Sequence, residues 1–262
     1  MLADYHMHTS FSDDSTYKME ELIRRAITLE IDEICFTEHV DYGVKTEDLN
    51  CDYSTYIEEF QRCKEEYKNQ INMKFGIEFG MQVHTIDQFQ RDFDQYDFDF
   101  IILSCHQVDN KAFWTGDFQK GNTQQEYNER YYKEILEVIK QYDNYSVLGH
   151  LDMIKRYDEL GEYPLAKVKD IITEILKQVI KQGKGIEVNT SSFRYGLEDL
   201  TPSRDILKLY KELGGNIITI GSDTHQEGHV GYNISHVKEE LKKIGYKQFC
   251  TFEKMQPIFH NL

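Results

Sequence analysis

The chain has 262 residues and a formal net charge of -16, a length at which one α/β domain can bury a large core without a second domain. Asp and Glu outnumber Lys and Arg by 46 to 30, which argues against a basic surface for nucleic-acid phosphates. No segment approaches the roughly 18 apolar residues of a membrane helix, and the first ten residues do not resemble a secretory signal. We therefore expect a cytoplasmic protein whose partner is a small molecule rather than a nucleic acid or a membrane.

Short apolar runs, each suited to a buried strand, alternate with longer amphipathic stretches. The predicted strands are 2–6, 33–37, 73–79, 98–105, 146–149, 185–188 and 216–221. The predicted helices, with apolar residues at intervals of three and four, are 19–29, 53–70, 124–141, 165–182 and 204–213. This alternation predicts a parallel α/β sheet, either closed into a TIM-like barrel or open and doubly wound. Both folds place functional groups at the C-terminal ends of the strands.

Ionisable residues cluster at those predicted strand ends. Six of the ten histidines lie there, namely His6, His8, His39, His106, His150 and His225. A single strand-end histidine is more often a hydrogen-bonded structural group than a ligand, but so many together favour a common site. Glu38 and Glu187 also end strands, and each is interpreted either as a group that orients a neighbouring imidazole or as a hydrogen-bonded structural carboxylate.

The opening pair of histidines indicates a metal site. His6 and His8 are separated by one residue on an extended segment, so both side chains point to the same side. Imidazole is a frequent ligand for zinc, iron and other transition metals, and carboxylates complete such sites. Glu78 and Asp223 suit that second role. The five cysteines show no spacing typical of a disulfide framework or of a Cys-based zinc site.

Short motifs follow one another along the chain: DYHMHT, TEH at 37–39, GIEFG, SCH, GHLD and GSDTH. In order and spacing they resemble the PHP (polymerase and histidinol phosphatase) superfamily, from about residue 3 to about residue 231. The segments GHLDMIKRY (149–157) and NTSSFRYG (189–196) are similar to its histidinol-phosphatase branch. The resemblance implies an α/β PHP fold, a distorted TIM-like barrel with seven parallel strands, (βα)7, formed by residues 1–262 as a single domain.

The resemblance also implies three divalent transition-metal ions, which the ligand types leave open as zinc, manganese or iron. The implied ligands are His6, His8, Glu78 and Asp223 for the first ion, His106 and His150 with bridging Glu78 for the second, and His39, His225 and Asp14 for the third. Asp13 is adjacent to Asp14 and is the alternative ligand for the third ion.

A phosphate monoester is the substrate class that such a cluster suits, because several metal ions can neutralise the phosphate, supply a nucleophile and stabilise the leaving oxygen. A metal-bound hydroxide is the expected nucleophile, and no Gly-x-Ser-x-Gly motif competes with it. Arg156 and Arg194 follow two of the strand ends and are expected to bind the phosphate, as the resemblance also implies. The segment 107–124, which contains Phe113 and the only tryptophan, Trp114, is long for a connection from strand to helix. It is interpreted either as a cover over the substrate or as a segment whose aromatic ring packs on the barrel core.

The resemblance implies hydrolysis of L-histidinol phosphate to L-histidinol and phosphate in histidine biosynthesis. One alternative is a phosphoesterase of the same superfamily for another small phosphate ester. A second alternative, from a different class, is a non-catalytic module that binds metal. The oligomeric state is open.

Overall fold

The computed structural model describes residues 1–43 and 49–262. Its strands are β1 (Ala3–Met7), β2 (Glu33–Val40), β3 (Asn72–Gly80), β4 (Phe100–Ser104), β5 (Gln107–Val108), β6 (Lys111–Ala112), β7 (Val147–Leu148), β8 (Gly185–Asn189), β9 (Ile218–Gly221), β10 (Gln248–Glu253) and β11 (Gln256–Asn261). The helices are α1 (Met19–Thr28), α2 (Tyr53–Tyr67), α3 (Ile86–Gln95), α4 (Gln124–Gln141), α5 (Leu165–Lys181), α6 (Arg204–Glu212) and α7 (Ile234–Ile244).

Seven parallel strands form one sheet in the order β1-β2-β3-β4-β7-β8-β9. The sheet returns on itself, because the backbone N–H of His8 donates to the Thr224 carbonyl at 2.7 Å and the Thr224 N–H donates to the His6 carbonyl at 3.1 Å. A doubly wound sheet reverses its strand order, whereas this order runs in one direction around the sheet and back to β1. The prediction of a seven-stranded TIM-like barrel is therefore confirmed. With only two residues in β7, the barrel is irregular.

The helices surround the sheet with their apolar faces turned inward. In α5 the buried positions are Val168, Ile172, Ile175, Leu176 and Val179, which recur at helical spacing. Helix α4 begins at a capping box in which Thr123 and Glu126 bond each other's backbone N–H. All five predicted helices are present, and α3 and α7 are additional. None of the helices in the described ranges is long and apolar enough to cross a membrane.

The hairpin β10–β11 covers the N-terminal end of the barrel. The Tyr5 hydroxyl accepts a hydrogen bond from the Phe252 N–H at 2.8 Å, and the Phe252 and Phe100 rings lie 5.1 Å apart. The Met255 N–H donates to the carbonyl of Asp99, the residue just before β4. One end of the barrel is thus packed with side chains, and the C-terminal strand ends form the other.

Candidate metal centre

Glu78 lies at the centre of a group of imidazoles at the C-terminal end of the barrel. Its two carboxylate oxygens are 2.9–3.4 Å from ring nitrogens of His6, His8, His39, His106 and His150. Oε1 faces His106 and His150, whereas Oε2 faces the others. A carboxylate with each oxygen turned to a different set of imidazoles has the geometry of a bridging ligand.

Two further carboxylates extend this group on one side. Asp223 Oδ1 lies 3.8 Å from His6 Nε2 and 3.7 Å from His8 Nε2. Asp14 Oδ2 lies 3.4 Å from His39 Nε2 and 3.1 Å from His225 Nε2. The structure thus brings the whole predicted ligand set to one end of the barrel. The contacts form three overlapping groups, one around each of the carboxylates Glu78, Asp223 and Asp14.

The surroundings of one ring nitrogen, His8 Nε2, indicate whether the cluster fits a metal ion. His8 Nε2 is buried, makes no hydrogen bond, and faces Glu78 Oε2 and Asp223 Oδ1. A buried polar atom without a partner is costly, and a cation between these three atoms would satisfy all of them. Ligand atoms within 4.8 Å of one another form the sets His6–His8–Asp223, His8–His39–His225, His6–Glu78–His150 and His39–Asp41–His106. Imidazole and carboxylate donors in this mixture suit transition metals.

Glu78, Asp223 and His8 have the charge states of metal ligands, whereas, against the effect of burial, neighbouring carboxylates raise the pKa of His6 and of His39 above the usual value. Burial opposes ionisation of Glu78, but the neighbouring imidazoles, His6 foremost, hold the pKa of its carboxyl well below the usual value. Asp223 is likewise ionised, because His6, His225 and Arg156 outweigh burial and keep its pKa low. Burial and the nearby imidazoles hold the pKa of His8 well below its usual value, so its ring is neutral. Ionised carboxylates and a neutral imidazole are the forms that bind a cation.

Two buried carboxylates orient the imidazoles from behind. His6 Nδ1 donates to Glu187 Oε1 at 2.5 Å, and His106 Nδ1 donates to Asp41 Oδ1 at 2.7 Å. Burial favours the neutral ring of His106, but Asp41 and Glu78 raise its pKa to about 9. A carboxylate that keeps a proton on Nδ1 would leave the Nε2 lone pair for a metal ion that displaces the second ring proton, as is usual for metal-bound histidine. These contacts favour the orienting interpretation of Glu187.

Sequence reasoning missed Asp41, although a signal was available. It lies two residues after His39, and side chains two positions apart on an extended chain share a face. Glu38, one residue before His39, has a different task. Its carboxylate accepts hydrogen bonds from the Thr9 N–H at 2.9 Å and the Ser12 hydroxyl at 2.6 Å. Glu38 therefore holds the loop after β1, the loop that carries Asp14.

Two motif glycines make room for the cluster. A Cβ atom at Gly221 would lie 2.3 Å from the Cβ of His6 and 2.5 Å from Glu187 Oε1. A Cβ atom at Gly80 would lie 1.7 Å from Asp41 Oδ1. Neither site leaves space for a side chain, so glycine at the ends of β3 and β9 allows these carboxylates to reach their imidazoles.

Replacement of Asp41 by Asn removes the anionic acceptor behind His106 and keeps the side-chain size. We expect metal affinity to fall by about 10- to 100-fold, the usual effect of losing such an orienting partner. Competition with a chromogenic chelator measures the affinity. Asp87→Asn, on the first turn of α3, is the matched control. Unchanged affinity in the Asp41→Asn protein would contradict the orienting role.

A cavity of about 400 Å³ opens above the cluster, within the range of small-molecule sites. It is lined by Asp13, Asp14, His39, Asp41, His106, Trp114, His150, Met153, Arg156, Tyr157, Arg194, Tyr195, Asp223, His225 and His229. Both predicted arginines and several predicted ligands therefore share one cavity. Phe113, the neighbour of Trp114, is instead buried in the core.

The two arginines are held in different ways. Arg156 Nη2 donates to the Ser191 hydroxyl at 2.7 Å, and the guanidinium lies 3.8 Å from the centre of the Tyr195 ring. Its Nε is buried and makes no hydrogen bond. Arg194 donates to the backbone carbonyls of Ser222 and Asp223, both at 2.7 Å. Each arginine is fixed by part of its donor set, and both side chains line the cavity.

A seven-stranded parallel barrel with a His and carboxylate cluster at its C-terminal end belongs to the class of metal-binding α/β barrels. The model of the PHP domain matches residues 4–191. The chain belongs to the PHP-domain family, in its histidinol-phosphatase branch, which confirms the resemblance seen in the motifs.

Individual relatives match over nearly their whole length. The chain is 31% identical over 256 residues to the histidinol-phosphatase of Lactococcus lactis subsp. lactis, covering 97% of this chain and 95% of the relative. It is 31% identical over 260 residues to a probable histidinol-phosphatase of Clostridium acetobutylicum, covering 97% and 98%. The crystal structure of the Lactococcus lactis histidinol phosphate phosphatase, complexed with zinc, L-histidinol and phosphate, matches with a TM-score of 0.88 at 30% identity over 98% of both chains.

Proposed function

We propose that the protein is a histidinol-phosphatase that hydrolyses L-histidinol phosphate to L-histidinol and phosphate, as a step of histidine biosynthesis. The observation that carries this function is the shared cavity, in which Arg156 and Arg194 line the same space as a cluster whose buried His8 Nε2 makes no hydrogen bond. Two relatives, each 31% identical over 97% of the chain, carry the same activity in their names.

Three divalent ions are proposed for the cluster, in the three overlapping groups of contacts around Glu78, Asp223 and Asp14. The relative's crystal structure contains zinc, and the same donor types also suit manganese and iron. Such ions, when bound, lower the pKa of a bound water toward about 7 and neutralise phosphate charge.

The chain's own residues would bind and orient the ester. Arg156 and Arg194 provide planar guanidinium donors for phosphate oxygens. Tyr195 stacks on the Arg156 guanidinium and keeps its plane fixed. Two serine hydroxyls near the cluster are already engaged, since Ser104 donates to Glu78 at 2.6 Å and Ser191 accepts from Arg156. Water, rather than a protein side chain, is therefore the proposed nucleophile.

Steady-state phosphate release tests the substrate assignment. The metal-loaded protein is assayed with L-histidinol phosphate, O-phosphoethanolamine, p-nitrophenyl phosphate and the diester bis-p-nitrophenyl phosphate. We expect kcat/KM to be highest for L-histidinol phosphate by a wide margin. Equal turnover of the monoesters would contradict the specific assignment, and preference for the diester would identify a different phosphoesterase of the family.

Asp14 is proposed as the carboxylate of the third ion in preference to Asp13, because its Oδ2 contacts both His39 and His225. Asp14→Asn should lower kcat/KM by at least about 10²-fold, since one catalytic ion is worth several kcal/mol. Asp13→Asn makes the same charge change one residue away and should have the smaller effect on kcat/KM and on metal content. The reverse order of the two variants would assign the ion to Asp13.

A further inference from the structure

The segment between β4 and α4 is held in place by specific contacts. Strands β5 and β6 form a short hairpin whose turn has Asp109 and Asn110 in the left-handed region, at φ 53° and 56°. Gln82 holds the turn from the side. Its Nε2 donates to Asn110 Oδ1, and the Asn110 N–H donates to Gln82 Oε1, both at 2.8 Å. The backbone that leads to Trp114 is therefore anchored at the hairpin.

The same segment is anchored a second time by Phe113. This ring is 1% exposed and packs against Phe118 and Tyr131 at centroid distances of 5.0 and 5.4 Å. Gln119 adds a third attachment, since its Nε2 donates to the carbonyls of Phe113 and of Tyr157, the neighbour of Arg156. The segment is thus tied to the part of the chain that carries the phosphate-binding arginine.

Trp114 is left outside this packing. Its residue is 48% exposed, although the residue before it is buried, and it lines the cavity shared with Arg156 and Arg194. A single exposed aromatic residue is ordinary on a protein surface. An indole that lines the metal cavity on a backbone fixed at three places is a preformed contact surface for a ligand.

We propose that Trp114 determines substrate specificity by stacking on the flat, nitrogen-containing ring of the substrate, an imidazole. The inference rests on the proposed function and assigns recognition of the substrate's imidazole ring to Trp114. Arg156 and Arg194 are assigned to the phosphate, so the organic part of the ester is left to the other residues that line the cavity. Among the aromatic residues there, the Tyr195 ring already lies on the Arg156 guanidinium, whereas Trp114 is 48% exposed. An imidazole that is partly protonated near neutral pH gains a cation–π contact as well.

Kinetics with Trp114→Ala separate ring recognition from phosphate binding. We expect KM for L-histidinol phosphate to rise about 10-fold, while the inhibition constant of inorganic phosphate stays within about 2-fold. Trp114→Phe, which keeps an aromatic face, should recover most of the loss. Leu160→Ala removes another exposed apolar side chain, 73% exposed and away from the cavity, and should behave as wild type.

Equal weakening of substrate and phosphate in Trp114→Ala would overturn the stacking role, and so would an unchanged KM. Either result in a protein that still hydrolyses L-histidinol phosphate selectively would leave the proposed function intact. A wild-type protein that does not hydrolyse L-histidinol phosphate would overturn both.

Fluorescence gives a direct readout of Trp114 that does not depend on turnover. The chain contains one tryptophan, so its emission reports on this residue alone. Titration of the metal-loaded protein with L-histidinol should change the emission in a saturable way. Inorganic phosphate alone should leave it nearly unchanged. No response at L-histidinol concentrations that inhibit the enzyme would contradict contact between the ligand and the indole.

Discussion

Replacement of Glu78 by Gln is expected to lower kcat on L-histidinol phosphate by about 10³-fold or more, since bound metal ions supply several kcal/mol of transition-state stabilisation. Both oxygens of Glu78 face imidazoles, Oε2 toward His6 and Oε1 toward His150. An amide retains only one acceptor and carries no charge, so it cannot bridge two cations. The metal content of the purified protein should fall together with activity.

A surface carboxylate provides the control for this substitution. Glu174 lies on α5 with its side chain 64% exposed, and Glu174→Gln should keep wild-type activity and metal content. Circular dichroism and thermal unfolding of Glu78→Gln should still show a folded barrel, because the core strands do not depend on this charge. A Glu78→Gln protein with wild-type kcat and a full complement of metal would contradict the bridging role.

Replacement of Arg156 by Ala is expected to lower kcat/KM by about 10²- to 10³-fold, the effect of losing charge-assisted hydrogen bonds in a partly buried site. The guanidinium side chain is only 7% exposed, so solvent cannot replace its donors. Arg156→Lys should recover little, because an ammonium group lacks the planar fork that binds two phosphate oxygens. Inhibition by inorganic phosphate should weaken in parallel.

Metal content distinguishes Arg156 from the proposed ligands. The Arg156→Ala protein should retain its ions, whereas Glu78→Gln should lose them. Arg62→Lys, on the exposed face of α2, is the control for an arginine substitution and should leave kcat/KM unchanged. Wild-type kcat/KM in Arg156→Ala would show that the phosphate binds elsewhere.

The barrel could be predicted because its strands and helices carry strong, regular patterns. Helix α4 is predicted at its observed bounds, because its apolar residues recur at helical spacing. Strand β7 was predicted as 146–149 but has only two paired residues, Val147 and Leu148. Pairing depends on the neighbouring strands, and a single sequence does not contain that information.

The elements absent from the prediction differ in how clear their patterns are. Helices α3 and α7 have apolar residues at intervals of three and four, as with Ile86, Phe89 and Phe93 in α3, and could have been predicted from the sequence. Strand β11 is largely exposed, so it lacks a clear buried face. Its place in the fold comes from pairing with β10, whose Phe252 bonds Tyr5 in the first strand. Such a contact between distant parts of the chain leaves no local signal.

The site could be predicted in outline because every proposed ligand except Asp14 lies at or near the end of a strand, and the barrel gathers those ends. The orienting groups were harder to recognise. Asp41 lies outside the quoted motifs and Ser191 lies within NTSSFRYG, but the roles of both are visible only through their contacts with His106 and Arg156. The structure was also needed to show that Phe113 is buried whereas Trp114 is exposed, because the sequence of two adjacent aromatic residues does not indicate which one is buried.

Metal removal and restoration test the central claim most directly. The purified protein is stripped with a chelator, its metal content is measured by elemental analysis, and hydrolysis of L-histidinol phosphate is followed as zinc, manganese or iron is returned. We expect the stripped protein to be inactive and activity to return as up to three ions bind each chain. A metal-free protein that hydrolyses L-histidinol phosphate at the wild-type rate would contradict the proposed metal centre.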